Sequence, residues 1–177
     1  CCCLPALETY AADGSLVGST AYLCDAKLFV PKFVVRDHRG ADKFLIRPDT
    51  CCCDCCVVIR CDLGGRRRAS RIMYTPFFIR DPLSGARLGG ALGGDAHISK
   101  VWSGFKKECC TDADNFQATL PLALAPDCAQ LACTFTLRGV LTSQVVFPAQ
   151  ADTLDRANLL GATVLLDFSF FETQNQV

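Results

Sequence analysis

Leu159-Leu160-Gly161-Ala162-Thr163-Val164-Leu165-Leu166-Asp167-Phe168-Ser169-Phe170-Phe171-Glu172 is the last apolar run of the chain, and its conformation governs how everything upstream must pack. Its pattern supports two readings. Thr163, Leu165, Asp167 and Ser169 alternate with Val164, Leu166, Phe168 and Phe170, as in a strand. The wider stretch 154–172 has the length of a helix, and Asp152 or Thr153 stands where a cap is needed. A helix apolar on nearly every side must be surrounded by protein or by lipid. Asp167 in its midst is costly unless it is paired, close to an end or facing a polar cavity.

Upstream, the first two-thirds reads as strands separated by turns. Leu7 to Tyr10 leads to the turn signal Asp13-Gly14, then to Leu16 through Leu23. Lys27 to Val30 meets Pro31, which limits that run to a strand end or an edge. Phe33 to Arg36 runs into the turn Asp37-His38-Arg39-Gly40, followed by Lys43 to Arg47 and Cys56 to Cys61. Ile72 to Tyr74, Phe77 to Arg80 and Ile98 to Trp102 continue the pattern, which suggests a barrel or sandwich. The glycine-rich stretch 83–95 lacks the Gly-Lys-Ser/Thr of a phosphate loop and reads as a flexible connection.

The chain has 177 residues, half of them apolar, and a formal net charge of zero. One domain with a substantial core is expected, and no specific nucleic-acid partner. Arg66, Arg67 and Arg68, with Arg71, form the only basic cluster, a solvated loop or a contact for anionic lipid headgroups or nucleic acid, between which four arginines do not decide. No apolar run reaches the roughly 18 to 20 residues of a spanning helix. The chain starts at Cys1 without a leader, and the expectation is a fragment or a gene product missing its first exon.

Fourteen cysteines is high usage, and their clustering says more than their number. Cys1, Cys2 and Cys3 open the chain; Cys51, Cys52, Cys53, Cys55 and Cys56 crowd its middle. Adjacent cysteines are poor mutual disulfide partners, and zinc wants spaced pairs of ligands, whereas His38 and His97 lie near neither cluster. Thioester attachment of palmitate suits Cys1 to Cys3. For Cys51 to Cys56, lipidation and burial of the thiols in a strand stand side by side.

Thr111-Asp112-Ala113-Asp114-Asn115-Phe116 places two carboxylates and an amide in one short segment. Asp112 and Asp114 supply charge for calcium, and Asn115 with backbone carbonyls through Phe116 adds oxygens. A polar turn between strands is the other reading. Phe116 and Gln117 occupy places where an EF-hand needs an oxygen ligand and a glycine, so this is not an EF-hand. No nucleophile–histidine pair is evident, and no covalent chemistry is expected.

Ser99-Lys100-Val101-Trp102-Ser103-Gly104, the segment Thr111 to Phe116, and Leu160-Gly161-Ala162 with Asp167-Phe168 and Phe170-Phe171-Glu172 follow one another in a distinctive order. Leu16-Val17-Gly18, Pro31-Lys32-Phe33, Cys51 to Cys56 and Leu120-Pro121-Leu122 extend it over nearly the whole chain. In this order they resemble the phospholipid scramblase family. The resemblance implies a mainly β, tubby-like antiparallel barrel around a central apolar C-terminal helix, which settles the last run as helix. The barrel would be incomplete here, with 1–177 a single domain lacking its N-terminal strands. The family passes almost directly from Leu-Pro-Leu into its terminal helix, so 125–151 is expected to be an insertion or a retained intron.

The implied function is ATP-independent, calcium-dependent, bidirectional movement of phospholipids between leaflets, by a palmitate-anchored protein at the cytoplasmic face of the plasma membrane. The rival is a tubby-like membrane-tethered module that binds anionic lipid or a protein partner without transport. The family's calcium segment ends in an acidic residue, where this chain has Ala123.

Overall fold

Alternation of β-branched and aromatic side chains with polar ones builds the first strands, and glycine turns set where they end. The computed structural model describes residues 4–24, 30–51, 56–58, 60–62, 71–91, 93–101, 132–137 and 141–171. Strands β1 (Ala6–Tyr10) and β2 (Leu16–Tyr22) are joined through Gly14, whose φ of 82° only glycine adopts without strain. The β3 (Phe33–Asp37) to β4 (Asp42–Pro48) turn uses Gly40 at the same φ of 82°. There Asp37 accepts backbone N–H bonds from Arg39 (2.8 Å) and Ala41 (2.9 Å). These are the turns expected at Asp13-Gly14 and Asp37 to Gly40.

The remaining elements are β5 (Arg60–Asp62), β6 (Arg71–Tyr74), β7 (Pro76–Arg80), β8 (His97–Val101), β9 (Ala132–Leu137), β10 (Leu141–Val146) and helix α1 (Thr153–Leu166). Among the described residues, eight strands form one antiparallel sheet in the order β1-β2-β3-β4-β7-β8-β10-β9, and β5 pairs with β6 apart from it. The strand expected over Cys56 to Cys61 is shorter and sits elsewhere. Val57 only bridges Thr50, and the strand proper is Arg60–Asp62.

The sheet curls. Helix α1 packs on β1, β2 and β3 at one end of the strand order and also touches β10 at the other. A flat sheet at about 4.8 Å per strand could not present both ends to one helix. Alternate residues line the concave face: Phe33 and Val35, Phe44 and Ile46, Phe77 and Ile79, then Ile98 and Val145. Leu159, Ala162, Leu165 and Leu166 of α1 fill the space they enclose. The last run is therefore helical and wrapped by strands.

Asp152 caps α1, accepting the Asp155 N–H at 2.7 Å, as the sequence suggests. Lys43 of β4 bonds both oxygens of Asp155 (2.9 and 3.2 Å) and ties the helix start to the sheet. Deeper in, Asn158 donates to the Arg36 carbonyl at 2.6 Å, directly above Gly18. Asp167 is buried, 2% exposed, where α1 passes into a wider π-helical segment, Asp167–Phe171.

Three carboxylates, Asp13 exposed and Asp37 and Asp81 half-buried, close turns, and each sits below the ordinary carboxylate range. The leading causes are the Ser15 hydroxyl for Asp13, the Ala41 N–H for Asp37 and the Ser84 hydroxyl for Asp81. A depressed folded-state value means the stabilisation is full above the unfolded value of about 3.9 and is lost as pH falls through the lower folded value. Melting temperature is therefore expected to decline below about pH 4, and Asp81→Asn to lessen that slope in thermal melts from pH 2.5 to 6. An unchanged slope would show that the Asp81 turn opens before the domain does.

Candidate functional site

The chain leaves β4 at Pro48 and immediately places Asp49 among arginines far away in sequence. Asp49 receives Arg60 (2.7 Å), Arg80 (3.2 Å) and Arg87 (2.7 and 2.8 Å). Arg87 also reaches Asp95 at 2.6 Å and lies 4.0 Å over the ring of Phe78; Arg60 lies 5.2 Å from the same ring. Residues of β7 alternate, so Phe77 and Ile79 enter the core while Phe78 and Arg80 belong to the convex face. The cluster therefore stands on the outside of the curled sheet.

The glycine-rich stretch supplies two of its members. It is pinned to the sheet rather than a loose connection, through bridges Arg80–Arg87, Gly89–Asp95 and Gly90–Pro148. Gly93 and Gly94, at φ 84° and 74°, let the chain double back and set Asp95 beside Arg87. His97 Nδ1 lies 2.9 Å from the Asp95 carbonyl oxygen, which only accepts, so that nitrogen carries the proton.

The electrostatics are uneven. Burial first, and then the charges of Arg87 and Arg47, push Arg80 below the ordinary guanidinium range. Arg87 is raised, chiefly by its bond to Asp95. Such a network positions backbone and holds concentrated positive charge; it contains no nucleophile poised beside a base.

The middle cysteines join this site through the backbone. Val58 N–H bonds the Asp49 carbonyl (2.9 Å) and Cys51 N–H bonds the Cys56 carbonyl (3.0 Å), which holds 49–51 beside 56–58. Cys51 is half-buried and Cys56 exposed, so burial in a strand does not hold at Cys56. Cys52, Cys53 and Cys55 lie outside the described residues, as do Cys1 to Cys3, Arg66 to Arg68 and the whole segment Asp112, Asp114, Asn115, Phe116. Arg71 is described only as backbone, in β6. Among the described residues, no group of three or more His, Cys, Asp or Glu side chains is arranged to hold a metal ion. No described helix is long and apolar enough to cross a membrane.

The arginine cluster escaped sequence reasoning because its members are 11, 31 and 38 residues from Asp49 and share no motif. The unusual signal was Arg80 and Arg87 flanking the short turn that contains Gly85.

A family model described as Scramblase matches residues 94–173, the stretch that holds β8, β9, β10 and α1. Over that stretch the chain is similar to scramblases. The chain is 27% identical over 174 residues to phospholipid scramblase 1 of Mus musculus, covering 97% of this chain and 36% of that protein. It is 27% identical over 174 residues to phospholipid scramblase 2 of Bos taurus, covering 97% of this chain and 41% of that protein. Against phospholipid scramblase 1 of Homo sapiens it is 25% identical over 175 residues, or 97% and 38% of the two chains. The chain thus spans little more than a third of the length of these relatives. No solved structure matches it.

Proposed function

We propose that this chain takes part in moving phospholipids between the leaflets of a membrane, in both directions, without ATP and under calcium control. The observation that supports this reading is the family match over 94–173, a range that holds β8, β9, β10 and the helix that fills the apolar core. The protein works at the cytoplasmic face of the plasma membrane, held there by palmitate on Cys1 to Cys3, with Cys51 to Cys56 as further anchoring thiols. Two or more acyl chains give stable attachment where one gives only marginal binding.

Calcium belongs to Asp112, Asp114 and Asn115, with the backbone at Phe116. These oxygen donors suit a hard cation. Ala123 offers no final carboxylate, so carbonyl and water oxygens must complete the six to eight that calcium takes. Weak affinity follows, on the order of 10⁻⁴ to 10⁻³ M.

Reconstitution of the full chain into liposomes carrying a fluorescent lipid in one leaflet tests the proposal. Calcium-dependent loss of asymmetry is expected, together with a calorimetric calcium isotherm that vanishes in the Asp112→Ala, Asp114→Ala double variant. Vesicle binding with no lipid mixing would overturn transport. Identical heats from both proteins would remove the calcium site.

A further inference from the structure

We propose that Arg60, Arg80 and Arg87, gathered on Asp49 over the ring of Phe78, bind a phosphate group, that of an anionic membrane lipid. The inference rests on the membrane reading above, but its three arginines, Asp49 and Phe78 all precede the family-model match at 94–173. Three guanidinium groups meet two carboxylates, Asp49 and Asp95, which leaves one positive charge in excess. Burial should discourage such an excess, and Arg80, its side chain only 18% exposed, carries it nonetheless. Burial, and after it the charges of Arg87 and Arg47, lower the Arg80 proton affinity, and an anion at the cluster would offset both.

Donors remain for a ligand. Arg60 is 43% exposed, spends a single Nη2 bond on Asp49, and rests its plane near Phe78. Its other N–H groups and the fixed fork geometry of guanidinium suit two oxygens of one phosphate. Arg80 Nε is buried and has no hydrogen-bond partner. Stacking on Phe78 holds the Arg60 and Arg87 planes in place before any ligand arrives. Location agrees with the chemistry. Cys51 follows Asp49 by two residues, about 7 Å of chain at most, so an acyl chain on the Cys51 thiol would carry the cluster to the headgroup layer.

The experiment is cosedimentation of the full chain with phosphatidylcholine vesicles, with and without phosphatidic acid, alongside thermal melts in inorganic phosphate. Wild type should prefer phosphatidic acid vesicles. Arg60→Ala, whose loss leaves Asp49 with two arginine partners, should keep its melting temperature and bind them about fivefold more weakly, as expected for one arginine at an anionic surface. Arg60→Lys should restore only part, because an ammonium lacks the fork. Equal binding by Arg60→Ala and wild type would overturn the site. A melting shift in phosphate that Arg60→Ala abolishes, without preference for phosphatidic acid, would overturn the lipid assignment in favour of free phosphate. Leaflet mixing separates the two proposals. Arg60-dependent binding without mixing supports the site and defeats transport; mixing without Arg60-dependent binding does the reverse.

Discussion

A chain lacking residues 125–151 is expected not to fold cooperatively. That segment, whatever its origin, contains β9 and β10, and β10 is hydrogen-bonded on both sides, to β8 and to β9. Val145 and Phe147 are core residues, 0% and 3% exposed, and Ala151 leads buried into the helix cap. Phe147 also accepts the Ala91 N–H at 2.9 Å, and Ala149 donates to Gly89 at 2.9 Å, so the glycine-rich turn loses its support as well. Each large buried side chain is worth about 2 to 5 kcal/mol against a total stability of about 5 to 15 kcal/mol. Losing Val145 and Phe147 together with both ladders exceeds any plausible margin. Circular dichroism melts of the deletion protein check this. A sharp transition near that of the full chain would mean that the segment is a dispensable addition.

Gly18→Ala should be the most damaging single methyl group in the sheet. A Cβ there would overlap Asn158 Nδ2 and the Arg36 carbonyl oxygen at once. Asn158 is a side chain and can move; the Arg36 carbonyl is backbone in the neighbouring strand and cannot move without breaking β2–β3 pairing. Moving Asn158 also breaks its 2.6 Å bond to that carbonyl inside the core, where Asn158 is 4% exposed. Overpacking costs about 1 to 3 kcal/mol and an orphaned buried polar group about the same, so a loss of about 2 to 6 kcal/mol is expected. The comparison with Gly161 sharpens the point. A Cβ there meets chiefly the Thr9 hydroxyl, and alanine regains about 1 kcal/mol of helix propensity, which offsets much of the strain. Urea denaturation of Gly18→Ala, alone and with Asn158→Ala, measures both parts. Full rescue by the second substitution would show that the backbone overlap is relieved at no cost.

The strands up to β4 were readable because polar and apolar residues alternate and Asp13-Gly14 and Asp37 to Gly40 announce turns that need a positive φ. The last run was not readable by periodicity. Thr163, Asp167 and Ser169 mimic strand alternation, whereas burial in α1 follows Asn158, Leu159, Ala162, Thr163, Leu165 and Leu166, a helical spacing. The resemblance to a family, rather than pattern, resolved it. The site was less legible still. Asp49 follows a proline at a strand end and looks like an ordinary turn residue, and only sheet order brings β4 beside β7, so that Arg80 can reach it. Pairing across a sheet is a property of topology, and local composition does not encode it.

The position of β1 has a kinetic meaning. Among the described residues it pairs only with β2, yet it covers the flank of α1 where Gly161 admits Thr9 and Leu7. A strand held on one side is the least costly to detach, so local opening should start there and not at the doubly paired β3, β4 or β7. Such an opening bares helix surface without dismantling the core. Amide protons of Leu7 and Thr9 should then exchange with solvent well before those of Val34 and Ile46, making β1 a hinged cover over the apolar helix.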